Sequence, residues 1–414
     1  MRIDFTINNG GDAGARYLTW APSPLRLRLL DATPGPDVAA TLSEDRQPNG
    51  GSIRFSATPD GNFTPTLKVS LPASGASVTV YVRGKFGTPS QADGDVSIVV
   101  GGPAAELGRL PVMVRVRKNA NQLTPAERDR FISAMAQINN RGTGRFADFR
   151  NMHVDGLASQ QAHDGPGFLP WHRAYLLDLE RELQAIDPAV TIPYWRFDRP
   201  APNLFTTDFI GVPDVLGTVG FSPANPLQFW ATDGVQGVLR RQLGESPGDW
   251  ADPTIRTETQ TLALGSSYQK FRDLQGNPHG YAHTSYFGGS IATISTAAKD
   301  PLFFLLHCNV DRLWAKWQSQ VGQVGRYDAN VAAAYDSKPK PKPGWLVGHN
   351  LNDTLWPWNG IVTRPRPSTA PGGPMTGSSC VLAPGLHPQV SDMLDFQGEV
   401  NSSAKLGFAY DDVS

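Results

Sequence analysis

The sequence predicts a mainly α domain preceded by a small all-β domain, either a sandwich or a barrel. Two patterns set that division. Apolar and polar residues alternate with period two in short runs up to about residue 110, and beyond about Arg115 apolar residues recur at helical spacing. Length agrees, since 414 residues exceed the size at which a single core keeps growing. The expected units are 1–111 and 112–414.

In the first unit the alternation is clearest in Leu25-Arg26-Leu27-Arg28-Leu29, in Leu67-Lys68-Val69, and in residues 52–55, 78–82 and 96–99. Clusters of Gly, Pro, Asn and Asp separate these runs, as expected for short half-buried strands joined by turns. The unit holds no histidine and no cysteine, so it offers no soft or borderline metal ligand.

The second unit opens with a helix start at Thr124-Pro125-Ala126-Glu127: a Thr cap, Pro in the first turn and Glu three residues after the cap. Phe131, Ile132, Met135 and Ile138 then follow at helical spacing. A strongly amphipathic helix is expected to begin at His172, with Leu176, Leu179 and Leu183 on its inner face and Glu180-Arg181-Glu182 largely outside it. Another buried stripe runs through Phe303, Leu306, Val310, Trp314 and Trp317. The alternating Lys-Pro run at 338–343 predicts a solvated connector. From Ile361 the chain is rich in Pro and Gly and is expected to be loop until a last strand at 406–410.

Composition narrows the function. A net charge of −1 leaves no basic footprint for nucleic acid and no electrostatic reason to sit on a membrane, and suits uncharged substrates. No apolar run is long enough to span a bilayer, and Met1-Arg2-Ile3-Asp4-Phe5 lacks the apolar core of a secretory signal. Cys308 and Cys380 are the only cysteines. Two free thiols in a cytoplasmic protein are the expectation, although an exported chain trimmed of its leader would read the same way.

The chemistry lies in the histidines. Six of eight fall in two clusters: His153, His163 and His172, then His279, His283 and His307. A spacing of four puts His279 and His283 on one helix face, close enough to share an ion. His307 sits on the edge of the buried stripe, with Asp311 one turn on, expected to hydrogen-bond a ligand imidazole and fix its tautomer. His153 is expected at a helix end and His163 on a loop. Any single histidine is more often a satisfied core or surface residue than a ligand. Two triads free of thiolate or carboxylate point instead to copper, iron or zinc, and the all-nitrogen set disfavours iron of the facial-triad kind.

Recognition separates copper from zinc. The segment from His163 through Phe168-Leu169-Pro170-Trp171-His172-Arg173, and the one from Asp300-Pro301 through Trp314, resemble the two copper signatures of the tyrosinase, catechol oxidase and polyphenol oxidase family. Pro278-His279-Gly280-Tyr281-Ala282-His283 resembles the start of its second copper motif, and Gly348-His349-Asn350 and Trp356-Pro357-Trp358 extend the likeness. The resemblance implies a four-helix bundle around a dinuclear type-3 site, with His153, His163 and His172 on one copper and His279, His283 and His307 on the other. It also implies O2 and small phenols as substrates and o-quinones as products. His349 is then structural, and His387 stands outside any motif.

Departures from the family pattern bear on substrate. Plant-like members usually place Glu four residues before the first histidine of the second site, and bacterial ones somewhat further back; at minus four stands Gln275, an amide that cannot accept a proton. Gly280 replaces an Asn common in hydroxylating members, Thr284 follows His283, and Ile294 stands where plant enzymes place a bulky aromatic. Asp273 and Glu258 are the nearest upstream acids. No cysteine lies in 154–162, so a Cys–His thioether is not expected, and Cys308 reads as a small buried hydrophobe. A diphenol oxidase with weak or absent monophenol hydroxylation is the leading expectation. A full tyrosinase, an o-aminophenol oxidase, an oxygen carrier of the haemocyanin kind and a structural zinc protein are the alternatives. The β region is expected either to shield the site or to be purely structural.

Overall fold

The computed structural model describes every residue except 9, 11–14, 34, 164 and 361–373; the last of these groups belongs to the Pro- and Gly-rich stretch expected as loop. Nine strands come first: β1 Arg2–Ile7, β2 Tyr17–Leu18, β3 Ser23–Leu30, β4 Val38–Arg46, β5 Ile53–Ser56, β6 Thr66–Leu71, β7 Val78–Gly84, β8 Val96–Gly101 and β9 Glu106–Val114. They form two sheets, ordered β1-β3-β7-β5 and β2-β9-β8-β4-β6. All pairings are antiparallel except β2 with β9. Leu25, Leu27 and Leu29 of β3 face Leu42, Ile98, Val100 and Val112 in one apolar core, while Arg28 turns outward to pair with Asp4. Full burial of each such Leu contributes about 1.5–3 kcal/mol. The five expected runs all lie in strands. Four further strands are β1, β4 and β9, which carry weaker alternation, and the two-residue β2; β9 includes Pro111 and continues to Val114, three residues past the expected boundary.

The helical part begins with α1 Pro125–Asn139. Its cap is reciprocal: Thr124 Oγ1 accepts from Glu127 N, and Glu127 Oε2 accepts from Thr124 N. The long elements that follow are α2 Phe146–Val154, α3 Gly156–Ala162 and α4 Phe168–Ile186, then the short α5 Glu258–Leu262, α6 Tyr268–Phe271, α7 Tyr281–Thr284 and α8 Ile294–Ala297, and finally α9 Leu302–Gln318. Helices α4 and α9 pack together at the centre of a second apolar core that includes Leu176, Leu179, Phe303, Leu306 and Trp314.

Two expectations fail here for one reason. Glu180 and Arg181 are buried rather than on an outer face, because the chain before α1 and the C-terminal segment wrap α4. Arg117 donates to Glu180 through Nε (2.9 Å) and to Asp311 of α9 through NH1 (3.1 Å); Arg181 donates to the carbonyls of Thr376 and Ala383. The expected strand at 406–410 is absent, replaced by a single bridge between Arg117 and Tyr410. Tyr410 ties both units together: its carbonyl accepts from Trp20 Nε1 (2.8 Å), and its hydroxyl donates to Asp311 (2.6 Å). Lys338 to Pro343 is exposed apart from Pro341, which is half-buried. No described helix is long and apolar enough to cross a membrane.

Candidate metal centre

The six clustered histidines arrive on very different pieces of chain. His153 is the next-to-last residue of α2, and His163 follows α3 in an extended conformation (φ −131°, ψ 152°). His172 lies in the second turn of α4 and His307 in the second turn of α9. His279 and His283 ride on a broken helical run: α6, a tight turn Arg272–Gln275, a wide turn Gly276–Gly280 and the four-residue α7. The spacing of four still brings the two rings to one side, 4.7 Å apart.

Within each triad, one ligand atom per histidine lies within 4.8 Å of the others. In the second triad His307 Nε2 is 3.3 Å from His279 Nε2 and 3.2 Å from His283 Nε2. The triads adjoin through His172 and His307, whose rings stack at 4.2 Å and 14°. Phe303 packs on His307 at 4.2 Å and on His153 at 4.8 Å, and Phe168 lies 4.8 Å from both His172 and His279. These two aromatics form the apolar wall between the histidines. The sequence reading assigned Phe303 only to a buried stripe, and the register that puts His307 one turn after it was the available signal.

Backbone carbonyls set the tautomers. Nδ1 of His172 bonds Phe168 O (2.8 Å), that of His279 bonds Gln275 O (2.8 Å), that of His283 bonds Ile291 O (2.7 Å) and that of His163 bonds Ser159 O (3.0 Å). A carbonyl can only accept, so each Nδ1 carries the proton and each Nε2 presents a lone pair. In the second triad two such lone pairs face His307 Nε2. One proton on that atom could satisfy one contact, not both, and would leave His307 Nδ1 as a buried acceptor without a partner. A cation resolves the arrangement. Imidazole–metal bonds of about 2.0–2.1 Å also place neighbouring ligand nitrogens roughly 3 Å apart. In the first triad His172 Nε2 is likewise buried and unbonded, and His153 makes no well-aligned hydrogen bond. Burial, then the neighbouring histidines, pushes His153, His172 and His307 well below the usual imidazole range. His279 is lowered too, by burial and then by His283, and His283 by burial to about 4. These five rings are therefore neutral near pH 7, as ligands must be.

Asp311 does not serve a ligand imidazole. Its two oxygens are taken by Arg173 Nε (2.6 Å), Arg117 NH1 (3.1 Å) and the Tyr410 hydroxyl (2.6 Å). Helical side chains lean toward the N-terminus, so the His307 ring tilts away from a residue one turn later. Asp311 instead locks α9 to α4 through Arg173, whose guanidinium also lies 3.7 Å over the Trp314 ring. Cys308 is buried, its Sγ donating to Ile192 O (3.2 Å). His349 Nδ1 accepts from Gly167 N (2.9 Å), fastening the loop before α4. His387 bonds the Trp358 carbonyl (2.8 Å).

A cavity of about 730 Å³ opens over the centre. Gln275, Gly280, Thr284 and Ile294 all line it, with His153, His163, His279, His283, His307 and Phe303. Its lining runs from His153 to His307, and residues 1–111 contribute nothing to it among the described ones. Of the two upstream acids, Asp273 lines the cavity and Glu258 does not. Glu258 is held by Arg312 (2.7 Å), Lys316 (2.7 Å) and Arg196 (3.3 Å), which outweigh burial and keep its carboxyl below the usual range.

A family model described as the common central domain of tyrosinase matches residues 143–320. The chain is similar to a tyrosinase of Streptomyces antibioticus, 32% identical over 59% of this chain and 93% of that one. It is also similar to grixazone synthase of Streptomyces griseus, 29% identical over 60% of this chain and 94% of the relative. Among solved structures, a polyphenol oxidase from Thermothelomyces thermophila is 17% identical, covering 72% of this chain and 88% of its own, with a TM-score of 0.46.

Proposed function

Because the chain belongs to the tyrosinase family of type-3 copper oxidases, we propose that it oxidises o-diphenols to o-quinones with O2 and hydroxylates monophenols weakly or not at all. We assign His153, His163 and His172 to one copper and His279, His283 and His307 to the other. The carbonyl-fixed tautomers and the unsatisfied Nε2 atoms support this ligand set. When bound, the copper pair would supply the redox chemistry that couples oxidation of two diphenols, two electrons and two protons each, to reduction of one O2 to two waters.

The protein's own part is binding, orientation and proton handling. Phe303 and Phe168 exclude water between the triads, and Phe303, which lines the cavity, offers an apolar face to a phenol ring. The cavity admits a substrate, which favours an oxidase over an oxygen carrier. The diphenol preference rests on one observation: Gln275, a neutral amide, lines the cavity at the position where plant-like members of the family usually carry Glu. A monophenol has a single proton with a pKa near 10, and that proton must leave while oxygen is inserted. Gln275 can orient a water but cannot accept the proton, and Gly280 has no side chain to hold that water. A catechol needs no oxygen inserted into its ring.

A second reading, full tyrosinase activity, has Asp273 in its favour, since this carboxylate lines the same cavity. Comparing turnover of tyrosine with that of L-dopa decides between them. Equal rates would overturn the diphenol preference. Residues 1–111 we read as a packing domain, because the described ones among them supply no side chain to the cavity.

A further inference from the structure

The cavity is larger than a single catechol ring requires, and its charged lining is uneven. A volume of about 730 Å³ lies within the range that encloses drug-sized ligands of several hundred cubic ångströms. Beyond the histidines and the apolar wall, the charged residues that line it are Arg256, Arg272 and Asp273 among the described residues. Two guanidiniums face one carboxylate, and Asp273 is exposed to solvent, where its charge is screened.

The two arginines are not equally committed. Arg256 NH1 donates to Asn277 O (2.9 Å) and its backbone N–H donates to Asn277 Oδ1 (2.8 Å), so this residue braces the turn that carries His279. Arg272 has no such task. Its ion pair with Asp336 is long, 3.7 Å, and its Nε is buried with no hydrogen-bond partner. Asp336 Oδ2 is equally unbonded, so the pair does not use the fork of donors that a guanidinium presents to a carboxylate. Arg272 sits in the tight turn just before Gln275, seven positions ahead of His279, on the wall of the cavity.

Resting on the reading that this cavity takes phenols, the geometry points to Arg272 as the anchor for a carboxylate on the substrate, making the preferred class diphenols that bear an acidic side chain. The ring enters between Phe303 and the histidines while the acid stays at the wall. The net charge of the whole chain hides this preference, because it is a property of the lining alone.

The test compares 3-(3,4-dihydroxyphenyl)propanoate with its methyl ester, which differ in charge and not in the oxidisable ring. Arg272→Gln is expected to lower the acid-to-ester ratio of kcat/KM about tenfold, equivalent to about 1.4 kcal/mol, and Arg272→Lys is expected to retain most of the ratio. Raising ionic strength should raise KM for the acid more than for the ester. Titrating the intact copper-loaded protein with 3-phenylpropanoate, which has no hydroxyl to oxidise, reads the same anchor without turnover; Arg272→Gln should weaken it about tenfold. An unchanged ratio together with unchanged 3-phenylpropanoate binding overturns the anchor. Absence of diphenol turnover would count against the oxidase reading, and the titration would still decide the anchor.

Discussion

The two histidine triads hold the same number of rings and are built from opposite kinds of chain. The first comes from α2, the end of α3 and α4, and two of its three members, His153 and His172, are fully buried. The second takes His307 from α9 but draws His279 and His283 from turns and a four-residue helix, where both are partly exposed. Gln275, Gly280 and Thr284 belong to that same broken run, and Ile294 begins the helix just beyond it. Long helices hold a ligand still because every turn is packed. Short turns let neighbouring side chains reach the space above the metal. Ion retention and substrate choice thus fall on different residues, and substitutions should separate them.

The strongest attempt to break that separation removes a ligand from each triad. His172→Ala and His307→Ala are each expected to lose about one copper per chain and nearly all oxidase activity, read by metal analysis and catechol turnover. A variant that kept most of its turnover would remove its histidine from the ligand set. Next comes the substrate wall. Gln275→Glu with Gly280→Asn should raise monophenol turnover on the order of 10²-fold, the lower end of general-base effects, with little change for catechols. The new side chain has room, since a Cβ at position 280 would meet only Gln275 O, at 3.5 Å. No gain for tyrosine would point to Asp273 as the working base.

The packing behind both triads is tested at Arg117. Arg117→Met leaves Glu180 buried without its cation and takes one of the two guanidiniums from Asp311, which keeps Arg173, and breaking a buried pair costs about 3–5 kcal/mol. Denaturant unfolding should show that loss, with copper leaving both triads together, because α4 and α9 are loosened at once. The smallest effect is acid sensitivity. Burial would raise the Asp412 carboxyl, but hydrogen bonding and charge from Arg312, then Lys316, hold it down at about 2. A depressed carboxyl stabilises the fold above its unfolded value of 3.8 and loses that contribution as pH falls toward 2. Thermal melts between pH 4 and pH 2 should therefore drop less steeply in Asp412→Asn than in the parent.

How legible all this was in the sequence follows the same division. The strands at 25–29 and 78–82 and the cap at Thr124 could be read because periodicity and capping are local. The histidine triads could be read because spacing and resemblance coincide on them. Asp311 was misread because helical phase gives the face a residue occupies and says nothing of partners from distant segments; Arg117 and Tyr410, which claim its carboxylate, lie far away in sequence. Glu180 was misread likewise, as a charge that looks solvent-facing until Arg117 covers it. Arg272 carries no local signature, and its place beside the histidines depends on the wide turn at Gly276–Gly280.

The bond between Arg117 and Tyr410 spans 293 residues, and this has a consequence during synthesis. The β-sandwich can form early, since its strands all lie before residue 115. The network of Arg117 and Asp311 is not complete until Tyr410 has emerged, and at about 5–20 residues per second that leaves an interval of roughly 15–60 s after Arg117 is made. Asp311 is made 194 residues after Arg117, so only in the last part of that window do Glu180, Asp311 and Arg117 stand together without the phenol that completes their network. Ala409 packs into the sandwich core and Tyr410 accepts from Trp20, so the last segment to be made closes the sandwich and the network behind the histidines together.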